Sequence, residues 1–117
     1  MIKLPPEAQQ MLIQLEQLRQ QYNLIVTQRT NLEARKADIE NSLKELEESK
    51  EEFVYYSIGA ILVKKPREEV INKLKEEKET LDVRINALKK QETSVMDRIK
   101  ALQQKLSSML GSAGNVG

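Results

Sequence analysis

Phe53-Val54-Tyr55-Tyr56-Ser57-Ile58-Gly59-Ala60-Ile61-Leu62-Val63 decides the fold of this chain. Phe53 to Tyr56 and Ile61 to Val63 are rich in the β-branched and aromatic residues that favour strands. Ser57-Ile58-Gly59-Ala60 between them supplies a turn in which glycine is free to take a positive φ. The segment reads as a β-hairpin with large apolar groups on both faces, Phe53 and Tyr55 on one side and Val54 and Tyr56 on the other. A lone two-stranded hairpin is marginal in water, and this one has two open edges and no core of its own to lie against. Pairing edge to edge with the hairpins of other subunits, in a shared sheet or barrel, removes the edges and buries both faces. Phe53, Val54, Tyr55, Tyr56, Ile58, Gly59, Ile61, Leu62 and Val63 are therefore the candidate oligomerisation residues. The competing reading is a hydrophobic loop that packs on the helix ends.

On both sides of this stretch the apolar period changes from that of a strand to that of a coiled coil. Upstream, d positions fall at Leu4, Met11, Leu18, Ile25, Leu32, Ile39 and Leu46, and a positions at Ala8, Leu15, Tyr22, Arg29, Lys36 and Leu43. Downstream, Ile71, Lys78, Ile85, Glu92, Ile99 and Leu106 take a, and Leu74, Leu81, Leu88, Val95, Leu102 and Met109 take d. Sustained 3,4 spacing of this kind is the mark of a helix that buries one seam against another helix. Pro5-Pro6 suits a helix entry, where the first N–H groups lack partners anyway. Glu68 and Glu69 after Pro66 suit the positive end of a helix dipole. The expected fold is mainly α: one unit over residues 1–117, a first coiled-coil helix at 7–50, a β-hairpin at 53–63 and a second helix at 66–110. The short joint brings the two helices back as an antiparallel pair. Gly111 to Gly117, with three glycines beyond Ser107-Ser108-Met109-Leu110 and no period, is expected to be a flexible tail.

Of the charged residues at a positions, Arg29 before the joint and Glu92 after it lie at similar distances from it. They are expected to pair across the seam and fix its register, because a polar residue at an a position trades stability for specificity. The alternative is that both long side chains run outward to water. Elsewhere Glu40 with Lys44 and Glu69 with Lys73 have the i,i+4 spacing of weak surface pairs.

Composition removes several functional classes. The chain has 117 residues, 32% charged and 3% aromatic, with a net charge of +1. The near balance leaves no strong field for nucleic acid or an anionic membrane. There is no His and no Cys. The usual general base, thiol nucleophile, transition-metal ligands and disulfides are thus missing, and no enzyme activity, metal or cofactor is expected. No phosphate-binding G-x-x-x-x-G-K-[ST] sequence occurs. Glu45, Glu47, Glu48, Glu51 and Glu52 form an acidic cluster that reads as a solvated face. No apolar run approaches the roughly 20 residues of a membrane span, and the start lacks the pattern of a secretory signal, so a soluble cytoplasmic protein is expected.

Near the outer ends of the two helices the apolar residues exceed what a seam needs. Leu12 and Ile13 stand beside Met11, and Leu110 stands beside Met109. Leu4, Met11, Leu12, Ile13, Leu106, Met109 and Leu110 are the candidate residues of an apolar binding patch, with methionine as an adaptable contact. Weak patches on several subunits would gain strength by acting together. The other possibility is that the off-stripe residues only extend the core.

The Leu4-Pro5-Pro6-Glu7 start, the Gln-rich first helix, the segment Val54 to Val63, Glu79-Thr80-Leu81 and Lys90-Gln91-Glu92 together resemble the β-type subunit of prefoldin, chiefly its archaeal form. The Tyr-x-x-x-Gly-x-x-Leu-Val pattern between two heptad arms is the most specific part. The α-type subunit has two hairpins, and this chain has room for one. The resemblance implies a hexamer of two α-type and four β-type subunits, its hairpins joined in a β-barrel platform. It also implies an ATP-independent chaperone that holds non-native proteins and passes them to a group II chaperonin. One departure is Lys64-Lys65, which stands where a helix-capping Ser or Asp would be better. The rival functions are a structural coiled-coil tether and a docking module for a single folded partner.

Overall fold

A computed structural model describes residues 4–114, with side chains as far as Gly111. The element order is α1 (Pro6–Glu48), β1 (Phe53–Ile58), β2 (Ile61–Pro66) and α2 (Arg67–Gly114). This matches the expected class: two long helices joined by one antiparallel hairpin.

Helix α1 begins where the proline pair allows it. Pro6 fills the first helical position, where a missing N–H is harmless, and the Pro5 carbonyl accepts the first intrahelical bond from the Gln9 N–H at 3.0 Å. At the other end the Ser49 N–H closes on the Glu45 carbonyl at 3.1 Å, and the Ser49 hydroxyl accepts from the Glu51 N–H at 3.2 Å, which turns the chain out of the helix. Helix α2 passes through Gly111 and ends at Gly114, so the expectation that the tail departs at residue 111 is corrected. A glycine weakens a helix by about 1 kcal/mol relative to alanine without forbidding the helical backbone. Residues 115–117, the remainder of the expected tail, lie outside the described residues.

The described residues form two compact units, one of Thr30–Ala87 and the other of the helix segments before and after it. In Thr30–Ala87 the core joins Ile39, Leu43, Val70, Ile71 and Leu74, and Ile39 is only 1% exposed. In the other unit Ala8, Met11 and Leu106 form the terminal core, with Leu4, Leu102 and Met109 packed against it. Within each unit the helix segments run antiparallel: Lys36 meets Asp82 while the later Glu47 meets the earlier Lys75 in one, and Met11 clusters with Leu106 while the later Tyr22 meets the earlier Glu92 in the other. Every heptad a and d position among the described residues is buried or half-buried. Val70 lies off that stripe and is buried because it sits in the first turn of α2, against the hairpin.

The hairpin strands pair from Phe53↔Pro66 to Ile58↔Ile61. Only Gly59 and Ala60 lie between Ile58 and Ile61, and Gly59 has φ +56° while no other residue type takes a positive φ among the described residues. A positive φ at the first of two central residues alone is the pattern of a type II′ turn, whose twist suits antiparallel strands. Strand β2 runs three residues further than the sequence suggests, because Lys64 and Lys65 continue the ladder opposite Tyr55 and Val54. This also answers the missing cap of α2: the Glu52 carbonyl, 2.9 Å away, accepts the first helical N–H, that of Arg67.

Candidate functional site

The ladder sorts the hairpin side chains onto two faces. Val54, Tyr56 and Val63 point inward and are half-buried, and Val54 and Tyr56 pack on the Ile39–Leu74 core. The expectation that the hairpin has no core to lie against is therefore corrected on this face. The helix ends carry the apolar surface that it covers. Lys73 places its ammonium 5.0 Å from the centre of the Tyr56 ring, and Lys65 lies 6.0 Å from it. Lys73 is thus directed at the ring, and Glu69 meets Lys65 at 3.5 Å, in place of the expected Glu69–Lys73 pair.

The opposite face stays open. Tyr55 is 74% exposed and Leu62 70% exposed, and Phe53 shares that face beneath a Lys64 ammonium 4.9 Å from its ring centre. Ile58 and Ile61, at the turn, are also exposed. Of the candidate oligomerisation residues, Phe53, Tyr55, Ile58, Ile61 and Leu62 present apolar surface to the outside. Val54, Tyr56 and Val63 serve the inner face, and Gly59 makes the turn. Phe53, Tyr55 and Leu62 share one face by the ladder's alternation, and exposed apolar side chains gathered on one face mark an interaction site.

The terminal candidates divide in the same way. Met11 and Leu106 belong to the core, and Leu4 and Met109 pack on it. Leu12, Ile13 and Leu110 are exposed, Ile13 to 54%. The reason is angular: Leu12 and Leu110 each follow a d residue, one step of about 100° off the seam, and Ile13 follows by two. Off-stripe Leu24 and Val83 are exposed as well, and Val26 is half-buried.

Polar residues at the seam are organised into two groups. Arg29 grips Glu92 with two nitrogens, Nε to Oε2 at 2.5 Å and Nη2 to Oε1 at 3.1 Å, and the Tyr22 hydroxyl donates to Oε1 at 3.5 Å. The pairing across the seam is thus present. The second group escaped the sequence reading. Lys36 meets Asp82 at 2.5 Å, and Glu40 lies 3.9 Å from Lys36 and 3.7 Å from Lys78. Glu40 therefore turns to these two lysines and not to Lys44. Its signal was available, since Lys36 and Lys78 are both a positions. The hydrogen bond to Asp82 raises the Lys36 pKa above its ordinary value.

Arg67 also went unnoticed. Its Nε donates to the Glu51 carbonyl at 3.0 Å and its Nη1 to the Leu46 carbonyl at 2.9 Å. Both partners are backbone groups, so no spacing of side chains could have announced them. Among the described residues no helix is long and apolar enough to cross a membrane.

A family model described as prefoldin subunit matches residues 9–113. The chain belongs to the prefoldin subunit family. A protein named prefoldin subunit beta from Archaeoglobus fulgidus is 43% identical over 109 residues, which is 92% of this chain and 94% of that protein. Another of that name, from Pyrococcus furiosus, is 38% identical over 86 residues, covering 73% of this chain and 74% of its relative. The crystal structure of the prefoldin beta subunit from Thermococcus strain KS-1 superposes with a TM-score of 0.85 at 35% identity, over 92% of this chain and 96% of that one. The resemblance carried by the central segment, to a β-type prefoldin subunit of archaeal kind, is borne out.

Proposed function

We propose that this chain is one subunit of an ATP-independent, non-enzymatic chaperone, acting in the cytoplasm on non-native proteins. Its hairpin joins those of other subunits in a β-barrel platform, in a hexamer of two α-type and four β-type prefoldin subunits. Held proteins pass to a group II chaperonin. The observation that carries this reading is the exposed apolar face of Phe53, Tyr55 and Leu62 on a hairpin whose other face is already packed on its own core. Such a face has no further partner within its unit, and a second hairpin supplies one.

Leu12, Ile13 and Leu110 then form the client-holding patch, beside a terminal core that Met11 and Leu106 close and Leu4 and Met109 flank. Each patch is weak alone, and several on one assembly bind an unfolded chain by effective concentration. The test replaces Leu12, Ile13 and Leu110 together by serine, leaving the core residues in place. Assembly with an α-type subunit should be retained, and suppression of aggregation of a denatured client should fall several-fold. An assembled variant that protects the client at full strength removes the patch from the mechanism.

A further inference from the structure

Beside the packing of Val54 and Tyr56, one residue bonds the base of the hairpin to the end of α1. Arg67 opens α2 immediately after Pro66, the last residue of β2. Its backbone N–H donates to the Glu52 carbonyl at 2.9 Å, its Nε to the Glu51 carbonyl at 3.0 Å and its Nη1 to the Leu46 carbonyl at 2.9 Å. Leu46 lies in the last turn of α1, where carbonyls have no intrahelical partner, and Glu51 and Glu52 lead directly into Phe53. Phe53 and Pro66 form the first pair of the ladder. Arg67 therefore ties the strand that enters the hairpin, the strand that leaves it and the end of α1 to one another. The fork of a guanidinium suits this task, since it offers several donors in a fixed plane, and its side chain is only 24% exposed.

We propose that Arg67 is a positioning residue for assembly: it holds the hairpin at a set angle on the helix ends, so that the outer face meets neighbouring subunits already oriented. A hairpin free to swing must be ordered when it pairs, and that ordering weakens association. The proposal rests on the reading that the hairpin face assembles the subunits.

The experiment compares the full chain with Arg67→Ala, Arg67→Lys, Glu68→Gln and the double variant Tyr55→Asp/Leu62→Asp, each titrated with an α-type prefoldin subunit and followed by native mass spectrometry. Glu68 contacts Arg67 at 3.1 Å without touching the carbonyls, so Glu68→Gln should assemble normally. Arg67→Ala and Arg67→Lys should need roughly tenfold more protein to assemble, with helix content unchanged. Assembly of Arg67→Ala at the concentration of the unaltered chain overturns the proposal. If Tyr55→Asp/Leu62→Asp also assembles normally, the assembly reading falls with it; if that double variant dissociates, only the role of Arg67 falls. Should Arg67→Ala lose helix, hydrogen exchange of Arg67→Lys decides. Faster exchange confined to residues 53–66 supports positioning, and equal acceleration throughout the helices overturns it.

Discussion

Removing either partner of the Arg29–Glu92 pair should cost more than removing both. The two side chains retain 21% and 19% of their exposure, so they sit between a solvated surface pair and a fully buried one. Exposed pairs contribute about 0.2–1 kcal/mol, and breaking a buried pair costs about 3–5 kcal/mol. Four-fifths withdrawal from water and two nitrogen contacts place the loss of one partner between these limits, at about 2–3 kcal/mol. Glu92→Met takes away the carboxylate that two Arg29 nitrogens hold at the seam and should lose about 2–3 kcal/mol. Arg29→Met leaves Glu92 with the long Tyr22 contact and should lose about as much. The double variant gives an apolar seam and should fall within about 1 kcal/mol of the parent. Urea unfolding at one fixed subunit concentration, on all four corners of the cycle, measures the coupling. Losses that add to within about 0.5 kcal/mol would refute the reasoning, because the pair would then behave as two independent surface charges. The lost specificity has its own readout. Met11 and Leu106 share a core cluster, and the natural chain has no cysteine, so Met11→Cys/Leu106→Cys should cross-link efficiently in the parent and less so in the Met/Met variant, whose seam can slip.

Gly59→Ala should destabilise the hairpin by about 1–2 kcal/mol through its backbone alone, since a Cβ there meets nothing within 4 Å; hydrogen exchange of the strand amides would report it. Ile39→Ala should cost about 2–5 kcal/mol in urea unfolding, as it empties the most buried position in its core. The Lys36–Asp82 contact should contribute below the ordinary lysine value of 10.5 and fade as pH rises through the higher folded value, because the folded state holds that proton more tightly. Alkaline unfolding curves of the parent and Asp82→Asn should accordingly converge as lysine deprotonates, and curves that stay parallel would count against the contact.

The helices were legible because burial along a helix is written in the spacing of apolar residues: Met11, Leu15, Ile25 and Ile39 are where the 3,4 period puts them, and so are the exposed Leu12 and Ile13. The heptad also set Arg29 opposite Glu92. The hairpin was legible as a hairpin, since β-branched and aromatic residues flank a glycine turn. Its extent was not, because Lys64 and Lys65 have weak strand preference and stay in the ladder through their partners Tyr55 and Val54. Nor was the packing of Val54 and Tyr56, which depends on how the two helix ends bring Leu43 of α1 beside Val70 and Leu74 of α2. Arg67 was hidden for a different reason, because carbonyl groups carry no residue identity.

The length of the step from the end of α1 into β1 decides which tyrosine the chain shows to the world. Adjacent residues on a strand point to opposite sides, so a single residue inserted ahead of Phe53 would move every β1 side chain one place along and exchange the two surfaces of that strand. Tyr56 would leave its lysines for water, Tyr55 would press on Val70 and Leu74, and the composition would scarcely change. One place along a strand is thus enough to separate a side chain that completes a core from one that is available to a neighbour.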